Sequence, residues 1–173
     1  MEKKNIKVMI SQEEVEKRIR QLAEEMNQLY GEEPLHLICI LKGSLFFTCE
    51  LAKHLTMPVT IDFMQASSYD DGMVSQGVKI RLDLAEEIKG KNVLVVEDII
   101  DTGRTLKKLK EILLERGPKS LKICTLLDKP SRRTEQITAD YTGFTIEDCF
   151  VVGYGLDYAQ EYRNLSYIGI IES

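Results

Sequence analysis

The segment VLVVEDIIDTGRTL, Val93 to Leu106, ends an apolar run in two adjacent carboxylates, Glu97 and Asp98. It then sets Asp101, Thr102, Gly103, Arg104 and Thr105 ahead of a helical pattern. A helix N-terminus presents free N–H groups and the positive end of the peptide dipole. Gly103 lets backbone approach an anion closely, and the Thr102 and Thr105 hydroxyls add donors. Together these make a cup for a phosphate group. It is not a P-loop, because GxxxxGK[ST] is absent. The acids would repel a phosphate unless they hold something else. Carboxylates accept from ribose hydroxyls, and a hard cation such as Mg2+ can sit between carboxylates and a diphosphate. One site could then grip a sugar through its hydroxyls and its phosphate at once. A lone TGxT would read as a capped turn with surface acids. A buried strand, two acids, a third acid and TGxT in order over fourteen residues reads as a functional site.

The elements that must position this segment are legible from periodicity. Ser11-Gln12-Glu13-Glu14 is a capping box. Val15, Ile19, Leu22, Met26 and Leu29 follow at helical spacing, and Gly31 stops the helix. LHLICIL, Leu35 to Leu41, is a continuous apolar run, as expected of a strand covered on both faces. Lys42-Gly43-Ser44 breaks it, and Phe46 to Leu55 forms a second helix. Val59, Ile61 and Phe63 alternate with polar residues as a strand does. Ser67 to Gly77 is a polar, glycine-containing loop, and Val78 to Leu84 alternates again as the second arm of a long hairpin. Thr105 to Arg116 is a helix closed by Gly117-Pro118. Leu121 to Leu127, Cys149 to Gly153 and Tyr167 to Ile171 add strands. Strands alternating with helices imply an α/β fold with a largely parallel sheet. A ligand then belongs at the carboxyl ends of the strands.

Composition narrows the partners. The chain has 173 residues, enough for one domain with its own core. Its net charge of −5 gives no global field for nucleic acid or an acidic membrane. No run reaches membrane-spanning length, and the N-terminus lacks the pattern of a secretory signal. Cys39, Cys49, Cys124 and Cys149 form no CxxC pair and read as buried, reduced thiols, which suits the cytoplasm. With His36 and His54 the only histidines, no zinc site is expected.

Val93 to Leu106 resembles the phosphoribosyl diphosphate signature of the type I phosphoribosyltransferases, in the EDIID form of their hypoxanthine-guanine (6-oxopurine) branch, and the resemblance covers nearly the whole chain. It implies the type I phosphoribosyltransferase fold: a largely parallel twisted sheet flanked by helices, with a mobile hairpin lid at Ser67 to Gly77. It implies one domain over 1–173, with a small hood made from the N-terminal segment and roughly 129–173. The implied activity is Mg2+-dependent transfer of 5-phosphoribosyl to hypoxanthine or guanine, in purine salvage. The implied assembly is a homodimer or homotetramer.

Site residues carry over position by position. Asp101 would be the general base, and Asp101, Thr102, Gly103, Arg104 and Thr105 would hold the 5-phosphate. Glu97 and Asp98 would hold the ribose and a metal ion. Leu41 to Ser44 resembles the pyrophosphate loop, with a cis Leu41–Lys42 peptide; Lys42, Gly43, Ser68, Tyr69 and Arg163 would contact pyrophosphate. Lys129 would donate to the purine exocyclic oxygen. Phe150 would stack on the base, the Val151 backbone would read its edge, Leu156 would pack beneath, and Asp157 would bind a second metal ion. Two residues depart from the family pattern: Ser44 replaces a common glycine and Arg104 a common lysine. Taken alone, Lys129, Arg132 and Arg133 read as solvated turn charges and Phe150 as a core residue, while Ala159, Gln160 and Glu161 vary within the family and decide nothing. Transferases for adenine or a pyrimidine, non-catalytic regulators that sense phosphoribosyl diphosphate, and assembly proteins are the competing classes. The acidic chain gives no global basic field for a nucleic acid and leaves room only for a local basic patch.

Overall fold

A computed structural model of the chain describes residues 5–69 and 77–172, with Ser68 and Tyr69 described only through their backbone. Strand β1 (Ile6–Ile10) leads into helix α1 (Gln12–Tyr30) through Ser11. The Ser11 hydroxyl accepts from Glu14 N at 3.2 Å and the Glu14 carboxylate accepts from Ser11 N at 2.8 Å, which completes the capping box. Then follow β2 (Leu35–Ile40), α2 (Leu45–Lys53), β3 (Val59–Tyr69), β4 (Gly77–Leu82), β5 (Asn92–Ile100), α3 (Arg104–Glu115), β6 (Ser120–Asp128), a 3-10 turn at Pro130–Arg132, β7 (Tyr141–Thr145), β8 (Val151–Val152) and β9 (Ile168–Ile171).

The main sheet has the order β4-β3-β2-β5-β6-β7, parallel except for β4, which returns antiparallel to β3. The continuous apolar runs follow from coverage of both faces. Leu35, Leu37, Leu94 and Val96 join one core cluster with α1 and α2, while Ile38, Ile40, Val93 and Val95 join a second with α3. Each helix contributes one stripe: Val15, Ile19, Leu22 and Met26 from α1, and Leu106, Leu109 and Leu113 from α3. From β2 the chain steps one way to β3 and the other way to β5. The β2–β5 pair is therefore the topological switch point, where a crevice opens beyond the strand ends.

A second, antiparallel sheet, β1-β9-β8, joins the two ends of the chain. Within 129–173, β7 belongs to the main sheet instead, parallel to β6, so this stretch divides between the two sheets. Two thiols depart from expectation. Cys39 and Cys124 are buried, but Cys149 is only partly buried and Cys49 is exposed. α2 turns Phe47, Thr48 and Leu51 inward, which leaves Cys49 on the outer face.

Candidate active site

Three separated segments meet at the switch point. The first follows β2. Its Leu41–Lys42 peptide is cis, as the family resemblance implied. Ser44 fits in place of glycine because its buried hydroxyl donates to Ile40 O at 2.8 Å. Gly43 leaves room for a carboxylate: a Cβ there would lie 1.7 Å from Asp98 Oδ2.

The second segment is the end of β5 and its turn. Glu97 and Asp98 are partly exposed at the crevice floor, with Asp98 Oδ1 accepting from Ile99 N at 2.7 Å. Burial and the neighbouring Asp98 charge push the Glu97 carboxyl well above its ordinary range. Burial likewise raises Asp98, and hydrogen bonds with the Glu97 carboxyl and the Ile99 N–H oppose this, with a smaller contribution from the Arg163 guanidinium. Charge crowded this way suits ribose hydroxyl donors or a cation. Among the described residues no three acidic, His or Cys side chains gather to hold a metal ion on their own. Mg2+ is commonly held by one or two carboxylates with substrate phosphates completing the shell, so this pair fits that ion. Beyond it, Asp101 to Leu106 line a cavity of about 120 Å³ together with Glu97, Ile99 and Ile100. Gly103 caps α3 with φ +84°, a left-handed conformation natural to glycine. Arg104 offers its backbone N–H, which donates to Thr102 Oγ1 at 3.4 Å, while its side chain is exposed.

The third segment runs from β8 to β9. Residues Gly153, Tyr154, Gly155, Ala159, Gln160 and Tyr162 all have positive φ, a concentration of unfavourable backbone typical of functional loops. Gly155 packs on the first segment: a Cβ there would lie 2.0 Å from Gly43 O. Arg163 Nη1 donates to Gly155 O at 2.7 Å, and Arg163 Nη2 pairs with Asp157 Oδ1 at 3.0 Å. Gln160, which decides nothing in the sequence, bridges two of the segments. Its Oε1 accepts from Lys42 Nζ at 3.1 Å and from Arg163 Nη2 at 3.2 Å, joining the first and third segments.

The residues expected to contact the base lie just after β6 and in or beside β8. Lys129 is buried, with its Nζ donating to Cys149 O and lying 3.6 Å from Asp148 Oδ1. Phe150 is 56% exposed and meets Tyr158 edge-on at 5.8 Å, so it is not a core residue. Val151 and Leu156 are buried behind it. Arg132 and Arg133 are not simply solvated. Arg132 Nε donates to Asp101 Oδ1 at 3.2 Å, and Arg133 pairs with Asp128 and donates to Asp101 O. The Ser68 and Tyr69 side chains, and residues 70–76 of the expected lid, lie outside the described residues.

A family model for the phosphoribosyl transferase domain matches residues 9–159. The chain belongs to the phosphoribosyl transferase family. It is 49% identical over 170 residues to the hypoxanthine phosphoribosyltransferase of Salmonella typhimurium, covering 96% of each chain. It is 50% identical over 168 residues to the hypoxanthine-guanine phosphoribosyltransferase of Streptococcus pneumoniae, covering 96% of this chain and 93% of the relative. Among solved structures it resembles a hypoxanthine-guanine phosphoribosyltransferase of Bacillus anthracis, with TM-score 0.93 and 45% identity over 97% of this chain and 100% of the other. The chain is a phosphoribosyltransferase of the hypoxanthine-guanine branch, and its fold is the type I fold of that family.

Proposed function

We propose that this enzyme transfers 5-phosphoribosyl from phosphoribosyl diphosphate to N9 of hypoxanthine or guanine, releasing pyrophosphate and giving IMP or GMP. The observation that carries this reading is the meeting of the Lys42–Ser44 turn, the Glu97–Thr105 segment and the Gly153–Arg163 loop at one switch point.

The 5-phosphate sits in the Asp101–Thr105 cup on the N-terminus of α3. Glu97 and Asp98 accept from the ribose hydroxyls. Lys42, Gly43, Ser68, Tyr69 and Arg163 receive the pyrophosphate. Phe150 stacks on the purine, the Val151 backbone reads its edge, and Lys129 donates to the 6-oxo group. An ammonium only donates, so it favours oxygen over an amino group at that position. As N9 forms its bond to the anomeric carbon, the bond to pyrophosphate breaks and its electron pair leaves with the phosphate oxygen. Asp101 accepts the proton released from purine N7. Mg2+, which Glu97, Asp98 and Asp157 would hold, supplies positive charge that neutralises the leaving group.

The reading extends to organisation. The β1-β9-β8 sheet forms a hood over the crevice within one domain. The enzyme acts in the cytoplasm; among the described residues no helix is long and apolar enough to cross a membrane. Leu45, Phe46, Ile61 and Phe63 are exposed apolar residues of α2 and β3, and they supply a surface that a second copy can cover in a homodimer or homotetramer. Sedimentation tests the assembly. The activity is tested by pyrophosphate release from phosphoribosyl diphosphate with Mg2+ against hypoxanthine, guanine, xanthine, adenine, uracil and orotate. Release with the 6-oxopurines is expected, and a preference for adenine or orotate overturns the reading.

A further inference from the structure

Asp101 stands at the end of an alternating row of charges. Arg132 Nε donates to Asp101 Oδ1 at 3.2 Å, and Arg132 Nη1 lies 3.8 Å from Asp148 Oδ2. Asp148 Oδ1 in turn lies 3.6 Å from Lys129 Nζ. The turn carrying this row is bonded to both sides of Asp101. Lys129 N donates to Ile100 O at 3.0 Å, and Thr134 N donates to Thr102 O at 3.0 Å. Arg133 Nη1 donates to Asp101 O at 3.2 Å.

Such a tether has a purpose beyond stability. Asp101 and Arg132 are each about half exposed, and an exposed pair adds little to folding. A phosphate dianion entering the cup beside Asp101 would, however, repel its carboxylate and turn it away from the base. A guanidinium fixed on the base side counters that field. Its attraction grows as the bound purine excludes water and the local dielectric falls.

We propose that Arg132 is a positioning residue: tethered by Asp148, it holds Asp101 Oδ1 on the base side of the phosphate cup and leaves Oδ2 to take the purine proton. This rests on the assignment of Asp101 as general base.

Steady-state kinetics of Arg132→Gln, Arg132→Lys, Asp148→Asn and Asp101→Asn, with thermal melts as a folding control, test it. Arg132→Gln should lower kcat about fivefold, the upper end for an exposed pair, and leave KM for phosphoribosyl diphosphate unchanged. Arg132→Lys should restore part of the loss. Asp148→Asn, which loosens the tether and keeps the guanidinium, should lower kcat about twofold to threefold. On the Asp101→Asn background Arg132→Gln should cost nothing further, because the group it positions is gone. Equal proportional losses on both backgrounds overturn the proposal. So does a loss confined to KM for the purine, which would make Arg132 only a support for the turn bearing Lys129. Wild-type turnover in Asp101→Asn alone would remove the general base itself, a failure visible without any Arg132 variant.

Discussion

Replacing Gly155 with alanine tests the joint between the Lys42–Ser44 turn and the Gly153–Arg163 loop. Gly155 has φ +101°, and an added Cβ would lie 2.0 Å from Gly43 O. A carbon and a carbonyl oxygen ordinarily approach to about 3.3–3.6 Å, so the two backbones must part by roughly 1.3 Å. Neither can rotate freely. Gly155 N donates to Arg163 O at 2.9 Å and Gly155 O accepts from Arg163 Nη1 at 2.7 Å. The unfavourable φ costs about 1–3 kcal/mol, and overpacking adds about 1–3 kcal/mol. For a chain of this size each kcal/mol moves Tm by about 2–4 °C, so a fall of about 5–20 °C is expected. A 1 Å displacement in a reacting site costs about 10²-fold in rate, and kcat/KM for phosphoribosyl diphosphate should fall by that order. Thermal melts and initial rates measure both. Gly31→Ala is the control: it also has positive φ, +59°, but nothing lies within 4 Å of its Cβ. It should lose about 1–3 kcal/mol of stability and keep its kinetics. A Gly155→Ala protein that melts and turns over like the parent would refute the close approach on which the site is built.

Three further outcomes are expected. Lys129→Gln should reduce the preference for hypoxanthine over adenine by about tenfold or more, since it replaces a pure donor with an amide that can also accept; selectivity that stays put removes Lys129 from base reading. Phe150→Ala should raise KM for the purine about 5- to 150-fold, from about 1–3 kcal/mol of lost stacking, while its exposure keeps the melting temperature near the parent's; unchanged KM rules out stacking. Glu97→Gln should stabilise the ligand-free protein at neutral pH. The folded Glu97 carboxyl titrates above its ordinary value of 4.5. Its contribution to stability is therefore full below that value and is lost as pH rises through the folded-state value. The melting difference between variant and parent should grow from pH 4 toward pH 7, and a difference independent of pH would contradict the crowding of the two acids.

The Asp101–Thr105 turn and most of the elements were legible in the chain because they are local. A cap, a stop glycine or an alternation is written within a few residues, and Val93 to Leu106 carries a strand end, two acids and a helix start without interruption. Weakly patterned strands escaped. β7, YTGFT, sits at the sheet edge with every residue at least partly exposed. β1 gains its meaning only by pairing with β9 at the far end of the chain. The contacts of Arg132 and Gln160 were hidden for the same reason: Arg132 meets Asp101 across 31 positions, and Gln160 meets Lys42 across 118.

The sequence alone determined which groups are available and in what local frame: carboxylates at a strand end, amides and hydroxyls at a helix start, a glycine wherever backbone must come close. Only the tertiary structure decided which of them share a crevice and which charges cancel. It put the Gly43 turn against Asp98, set Phe150 in the open rather than in the core, and gave Asp101 an arginine neighbour. The physical reason is that helix turns, caps and strand alternation are set by near neighbours, whereas sheet pairing, burial, desolvation and ion pairing depend on residues that meet only once the sheet order places β2 beside β5.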